Sequence, residues 1–199
     1  MIRLGLTGSI AMGKSEAARM LRRFGLPVFD ADAAVHALLS LGGEAVAPVS
    51  AAFPGVEDGR GGIDRQALGQ RVFGNPAALE MLERILHPRV AAARALFLQR
   101  AEREGAPVAV LDIPLLFETG AERDLDRVAV VSAPAEVQRA RVLERPGMTE
   151  ARLAAILDRQ MPDAEKCARA DYVLDSGQGK RKMLMDIKAM LRDLQGKER

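Results

Sequence analysis

"MIRLGLTGSIAMGKS", residues 1–15, joins a short apolar run to the pattern G-x-x-x-x-G-K-[ST] at residues 8–15, and this junction decides the fold. An apolar strand that turns through glycines into a helix makes a phosphate cradle. The loop amides and the helix N-terminus converge on anionic oxygens, Lys14 reaches the β and γ phosphates, and the Ser15 hydroxyl ligates Mg²⁺. Gly8 and Gly13 supply backbone conformations that a side chain forbids. The expected nucleotide contacts are Gly8, Ala11, Met12, Gly13, Lys14, Ser15 and Glu16. The competing reading is a glycine turn capped by a surface lysine. The strand composition before the motif and the helical "KSEAARMLRRFG" around its end weigh against that reading.

Working outward, segments 27–29, 108–112, 128–132 and 172–174 also read as strands, with helical patterns between them. Runs such as "VAVLD" and "VAVVS" suit strands covered on both faces, so the prediction is an α/β fold, a parallel sheet of about five strands flanked by helices. The expected organisation is a core of residues 1–32, 108–135 and 171–199, with a helical insertion at 33–107 and an arginine-rich hairpin at 136–170. Within the insertion, Asp64 precedes "RQALGQRVF", Asn75-Pro76 starts "AALEMLERIL", and His87-Pro88 leads into a separate helix, "RVAAARALFLQRAERE". In the hairpin, Pro134 opens "AEVQRARVLER", Pro146-Gly147 interrupts it, and Thr149 can cap "EARLAAILDRQ". Composition alone allows a solvated hairpin; beside a P-loop, a closing lid is the better reading, because phosphoryl transfer needs water excluded and cations brought near. The last helix, "KRKMLMDIKAMLRDL", spaces its methionines and leucines for core packing.

A length of 199 residues, 48% hydrophobic, suits one domain with inserted subdomains. The 29 basic and 27 acidic residues are too evenly balanced for a polybasic surface, and 4% aromatics with no Trp leave few stacking platforms, so no nucleic-acid partner is expected. Cys167 is the only cysteine, which excludes an intramolecular disulfide, and a lone pair of histidines, His36 and His87, argues against zinc. With no leader-like start and no apolar run near about 18 residues, the expectation is a cytoplasmic protein without a membrane span.

Phosphoryl transfer further requires a group to orient the acceptor and a carboxylate for metal. In "PVFDAD", Asp30 and Asp32 fall just past the second strand, where ligands gather in parallel sheets; either could accept a hydroxyl proton or simply cap the next helix. Asp112 ends the third strand and is either a Walker B type Mg²⁺ ligand or a turn former before Pro114. Arg141 and Arg145, four apart on one helix face, could clamp phosphates. The chain lacks [NT]-K-x-D, against a GTPase, and Ile113 and Pro114 follow Asp112 where a hydrolysing ATPase wants a second carboxylate. A small-metabolite kinase and a nucleotide-binding switch both stay open at this point.

"GLTGSIAMGKS", "VFDAD", "ILHPRV", "LDIPLLFETG", "QRARVLER" and "ARADYVLDSG", in this order across nearly all of the chain, resemble the dephospho-coenzyme A kinase family. The resemblance implies a P-loop kinase fold and transfer of the γ phosphate of ATP, with Mg²⁺, to the ribose 3′-hydroxyl of dephospho-coenzyme A. It implies Asp32 as the residue that deprotonates that hydroxyl, with Lys14 and Arg141 stabilising phosphoryl charge. It places His87, Leu115 and Phe117 with Asp32 around the acceptor, and Ser176 and Gly177 near adenine. A monomer or weak homo-oligomer is expected. Ala11, Met12 and Glu16 depart from the family's usual glycine, serine and threonine; Ala11 needs a loop conformation tolerable to a β-carbon, and Glu16 brings negative charge to the first turn.

Overall fold

Each apolar run is too hydrophobic to leave a face in water, and side-by-side pairing solves this. In the computed structural model, which describes residues 1–196, β1 (Ile2–Thr7), β2 (Val28–Asp30), β3 (Val108–Asp112), β4 (Arg127–Ser132) and β5 (Tyr172–Asp175) form a five-stranded sheet ordered β2-β3-β1-β4-β5. The β3–β1, β1–β4 and β4–β5 pairs are parallel, with Leu6 opposite Asp112 and Thr7 opposite Val130. That register brings the start of the P-loop and the last residue of β3 to the same end of the sheet. The expected α/β architecture is the observed one.

By contact density the chain divides into one unit of residues 1–28 with those from 101 onward, and a second unit, Phe29–Arg100. In the first, α1 (Lys14–Arg23) and α9 (Lys180–Gly196) cover one sheet face. Leu4, Leu6, Ala129 and Val131 face them, and Met183, Ile187, Met190 and Leu194 of α9 supply the helical side of this core, as their spacing predicts. Val128 and Val130, one residue out of phase, point to the opposite face, where they meet Leu116 and Phe117. Partly buried Cys167 of α8 (Asp163–Arg169) packs there too. Burial pushes the Cys167 thiol above its ordinary range, which leaves it a packing residue and not an activated nucleophile. The hairpin consists of α6 (Ala135–Leu143) and α7 (Glu150–Leu157), joined by the Arg139–Glu150 ion pair. Thr149 caps α7 by accepting from the Arg152 amide at 3.2 Å.

The second unit contains α2 (Ala31–Leu39), α3 (Val46–Ala52), α4 (Arg65–Val72) and most of α5 (Pro76–Arg103) around Leu39, Val49, Phe53, Ile63, Leu68, Leu82 and Leu86. Asp64 caps α4, accepting from Gln66 at 2.8 Å, and Asn75 caps α5, accepting from Ala78 at 3.1 Å. One expectation is corrected: His87-Pro88 does not separate two helices, and α5 runs for 28 residues through Pro88. A proline inside a helix removes one amide donor and crowds the preceding turn. One residue on, the Arg89 guanidinium donates to the Ile85 carbonyl at 2.6 Å and to the Glu44 carbonyl at 3.3 Å, which ties this turn of α5 to the segment before α3. Among the described residues, no helix is long and apolar enough to cross a membrane.

Candidate active site

The P-loop joins β1 to α1, and its glycines are where close approach demands them. A β-carbon on Gly8 would lie 2.6 Å from the Val131 carbonyl oxygen, and Gly13, the residue before α1, sits at φ 97°. Ala11 also adopts a left-handed conformation, φ 58°, the only non-glycine among the described residues to do so. The departure noted in the sequence is therefore a strained position, because an L-residue in that region costs about 1–2 kcal/mol.

Lys14 opens α1, and its Nζ lies 2.5 Å from Asp112 Oδ1 at the end of β3. Both side chains are largely withdrawn from water, Lys14 17% and Asp112 5% exposed, so the P-loop cation and the strand-end carboxylate balance each other. Ser15 in the first turn of α1 is exposed, while Ser9 Oγ is buried without a partner among the described residues. The loop thus combines the Lys14 and Ser15 amides, which have no backbone acceptor among the described residues, with an accessible hydroxyl, an orphaned buried hydroxyl and a carboxylate beside the lysine. This donor set suits a polyphosphate and a hard divalent cation, whose oxygen ligands would come from Ser15 and from Asp112 once Lys14 turns to phosphate.

Glu16 does not aim bare charge at this cradle. Arg19 Nη2 lies 2.5 Å from one of its oxygens and Lys180 Nζ 3.5 Å from the other, which ties the start of α1 to the start of α9. Met12 is buried, its carbonyl accepting from Ser176 Oγ at 2.5 Å. Arg141 of α6 donates to the Ser176 carbonyl at 2.7 Å, to Ser176 Oγ at 2.9 Å and to the Ala11 carbonyl at 3.4 Å. Its guanidinium therefore bridges the P-loop to the turn after β5. The exposed Arg145 side chain makes no hydrogen bond or ion pair among the described residues, while its amide donates to the Val142 carbonyl at 3.0 Å. Gly177 permits the same turn to press on Pro134: a β-carbon there would stand 2.4 Å from the proline ring.

In the second unit, Asp30 is the N-cap of α2, accepting from the Ala33 amide at 2.9 Å. Asp32 lies in the first turn of α2, exposed, its carboxylate making no hydrogen bond or ion pair among the described residues. The two aspartates of "DAD" therefore divide between capping and availability. His87 is exposed on α5. In the segment after β3, Leu115 is 42% exposed whereas Phe117 is 6% exposed and packs against Leu116 in the core. Phe117 accordingly backs this segment from inside, with little of its surface exposed.

Several polar residues at this site escaped the sequence reading. Gln138 of α6, 5% exposed, donates to the Ile10 carbonyl at 2.9 Å, and Gln160 after α7 accepts from the Ile10 amide at 3.2 Å. Glu118 Oε1 accepts from the Met161 amide at 2.8 Å and lies 2.7 Å from Nζ of Lys166, which is fully buried. One usable signal was present for Gln138: it precedes Val142 by four, on the face of α6 that must be buried.

The family model described as dephospho-CoA kinase matches residues 2–181. The dephospho-CoA kinase of Novosphingobium aromaticivorans is 60% identical over 174 residues, 87% of this chain and 85% of that protein. That of Mesorhizobium japonicum is 54% identical over 197 residues, 98% of each chain. Among solved structures, TT1252 from Thermus thermophilus superposes with TM-score 0.81 at 39% identity, covering 97% of both chains. Dephospho-CoA kinase from Campylobacter jejuni gives 0.68 at 24% identity over 96% of both, a likeness of fold. With the phosphate cradle in place and the match running through nearly every described element, this chain belongs to the dephospho-CoA kinase family.

Proposed function

We propose that the chain transfers the γ-phosphoryl group of ATP to the ribose 3′-hydroxyl of dephospho-coenzyme A, giving coenzyme A and ADP. The observation that carries this is the Lys14–Asp112 pair at the mouth of the P-loop, in a chain that matches the family from residue 2 to residue 181. Phosphoryl transfer asks the protein mainly for positioning and charge. Lys14 leaves Asp112 for the β and γ phosphates, and the Lys14 and Ser15 amides at the start of α1 hold the remaining oxygens. Arg141, fixed against Ser176 and Ala11, holds the nucleotide end of the site, and Arg145 is the unengaged guanidinium of the hairpin. Asp32 accepts the proton of the acceptor hydroxyl; the oxygen so freed bonds to the γ phosphorus, and the bond from that phosphorus to the β–γ bridging oxygen breaks. Mg²⁺, for which Ser15 and Asp112 are the ligands at hand, supplies neutralisation of phosphate charge. Leu115 and His87 contact the acceptor. The same reading has the protein work in the cytoplasm as a monomer or weak homo-oligomer.

The test is ADP release with Mg-ATP and a panel of acceptors. Turnover with dephospho-coenzyme A and a 3′-phosphorylated product is expected. Turnover confined to a nucleoside monophosphate, or nucleotide binding with no transfer to any acceptor, would reject the assignment.

A further inference from the structure

We propose that Gln138 and Gln160 are positioning residues that clamp the first half of the P-loop and so preset it for nucleotide; this deepens the kinase reading above and rests on it. Ile10 sits at the turn of the loop, and both of its backbone polar groups are taken by side chains from the hairpin. Gln138 Nε2 donates to its carbonyl at 2.9 Å, and Gln160 Oε1 accepts from its amide at 3.2 Å. The next two carbonyls, of Ala11 and Met12, are held by Arg141 at 3.4 Å and by Ser176 at 2.5 Å. The outer side of three consecutive loop residues is thereby tied to α6, to the end of α7 and to the turn after β5.

The polarity of the two amides is fixed by their partners. A carbonyl can only accept and an amide N–H can only donate, so Gln138 must present its NH₂ group and Gln160 its oxygen. Gln138 is 5% exposed, and a buried carboxamide is costly unless bonded, so its position is tightly specified. The clamp also meets a local need. Ala11 holds a left-handed conformation disfavoured for an alanine, and contacts on either side must keep it there. With the clamp in place, the amides at the start of α1 face the ligand without first having to be ordered. The same two residues make the hairpin and the loop one mechanical element, so disturbing either glutamine acts on ATP and spares the acceptor.

The experiment compares four variants by steady-state kinetics with Mg-ATP and dephospho-coenzyme A, with direct titration of ATP binding and thermal melts alongside. Gln160→Leu should raise KM for ATP about tenfold, with kcat and the acceptor KM changed far less. Gln160→Glu keeps the acceptor oxygen and should recover most of that loss. Gln138→Glu turns a carboxylate toward the Ile10 carbonyl and should be worse than Gln138→Met, which keeps the volume alone. Should Gln138→Glu fail to fold, the binding titration of Gln138→Met against Gln160→Leu and Gln160→Glu decides the matter. Equal loss in Gln160→Glu and Gln160→Leu, or a rise in acceptor KM matching that for ATP, overturns the clamp. Failure of the unsubstituted protein to phosphorylate dephospho-coenzyme A strikes the kinase reading instead, and the ATP titrations still judge the clamp.

Discussion

Replacing Glu118 by Gln should destabilise the first unit by about 3 kcal/mol, because it strands a buried ammonium. Lys166 is fully buried, and Glu118, with 16% of its side chain exposed, is the carboxylate 2.7 Å away. The contact is a charge pair and not a satisfied network: Lys166 Nζ lacks a well-aligned hydrogen bond, and Glu118 Oε2 is buried without a partner among the described residues. Glutamine preserves the oxygen that accepts from Met161 and removes only the charge. Breaking a buried pair from one side costs about 3–5 kcal/mol, and partial access of water to Glu118 places this case at the lower end. For a chain of this size that is a fall in Tm of about 6–12 °C. The loss should also fade in acid. Burial alone would raise the Glu118 pKa, but the Lys166 ammonium and the Met161 amide overcome it and hold the carboxyl below its ordinary range. A carboxyl with its folded pKa below the unfolded value stabilises fully above about pH 4.3 and less as the pH falls through the folded pKa. Urea denaturation at pH 7 and at progressively lower pH measures both effects. The combined Glu118→Gln and Lys166→Met variant, which keeps the oxygen for the Met161 amide, should recover most of the loss, since an imperfectly bonded ion pair adds little over apolar packing. A loss below about 1 kcal/mol at pH 7, or a double variant worse than Glu118→Gln, would refute the reasoning.

Asp32→Asn should lower kcat about 10²-fold or more while ATP binding is retained, measured by single-turnover kinetics beside a nucleotide titration; an unchanged kcat removes the base assignment. Ala11→Gly releases the left-handed strain but adds unfolded-chain entropy, so stability should rise by up to about 1 kcal/mol in urea melts, and a loss of that size would show the β-carbon to be needed. Arg141→Lys keeps the charge but cannot span the Ser176 carbonyl and hydroxyl together, so KM for ATP should rise about tenfold; wild-type kinetics would show that only the charge matters.

The strands were legible because each is a continuous apolar run between glycines, prolines and charges, a signal that needs no knowledge of distant partners. The P-loop was legible for the same local reason. Pro88 misled because its rule is local, whereas the turn around it is also held from outside the helix, Arg89 reaching the Glu44 carbonyl 45 residues away in sequence. The spacing of Gln138 from Val142 signals only its burial, and neither Gln138 nor Gln160 announces its partner, one backbone residue 128 and 150 positions away. The split between exposed Leu115 and buried Phe117 depends on how the segment after β3 turns, which "IPLLFE" does not spell out. Residue spacing alone left the two carboxylates of "DAD" alike and only the family resemblance pointed to Asp32, whereas the backbone assigns Asp30 to the cap of α2.

The sheet tapers outward: its terminal strands, β2 with three residues and β5 with four, are its shortest, against six in β1 and β4. A foreign strand seeking to pair with β5 finds Val173 exposed, but only a few residues of template between Asp171 and Asp175. Both aspartates are committed to backbone amides, of Val128 and Gly177, so they stand as fixed charges at the two ends of that template. Such brevity and end charge discourage edge-to-edge growth of the sheet, the route by which parallel-sheet proteins aggregate while folding.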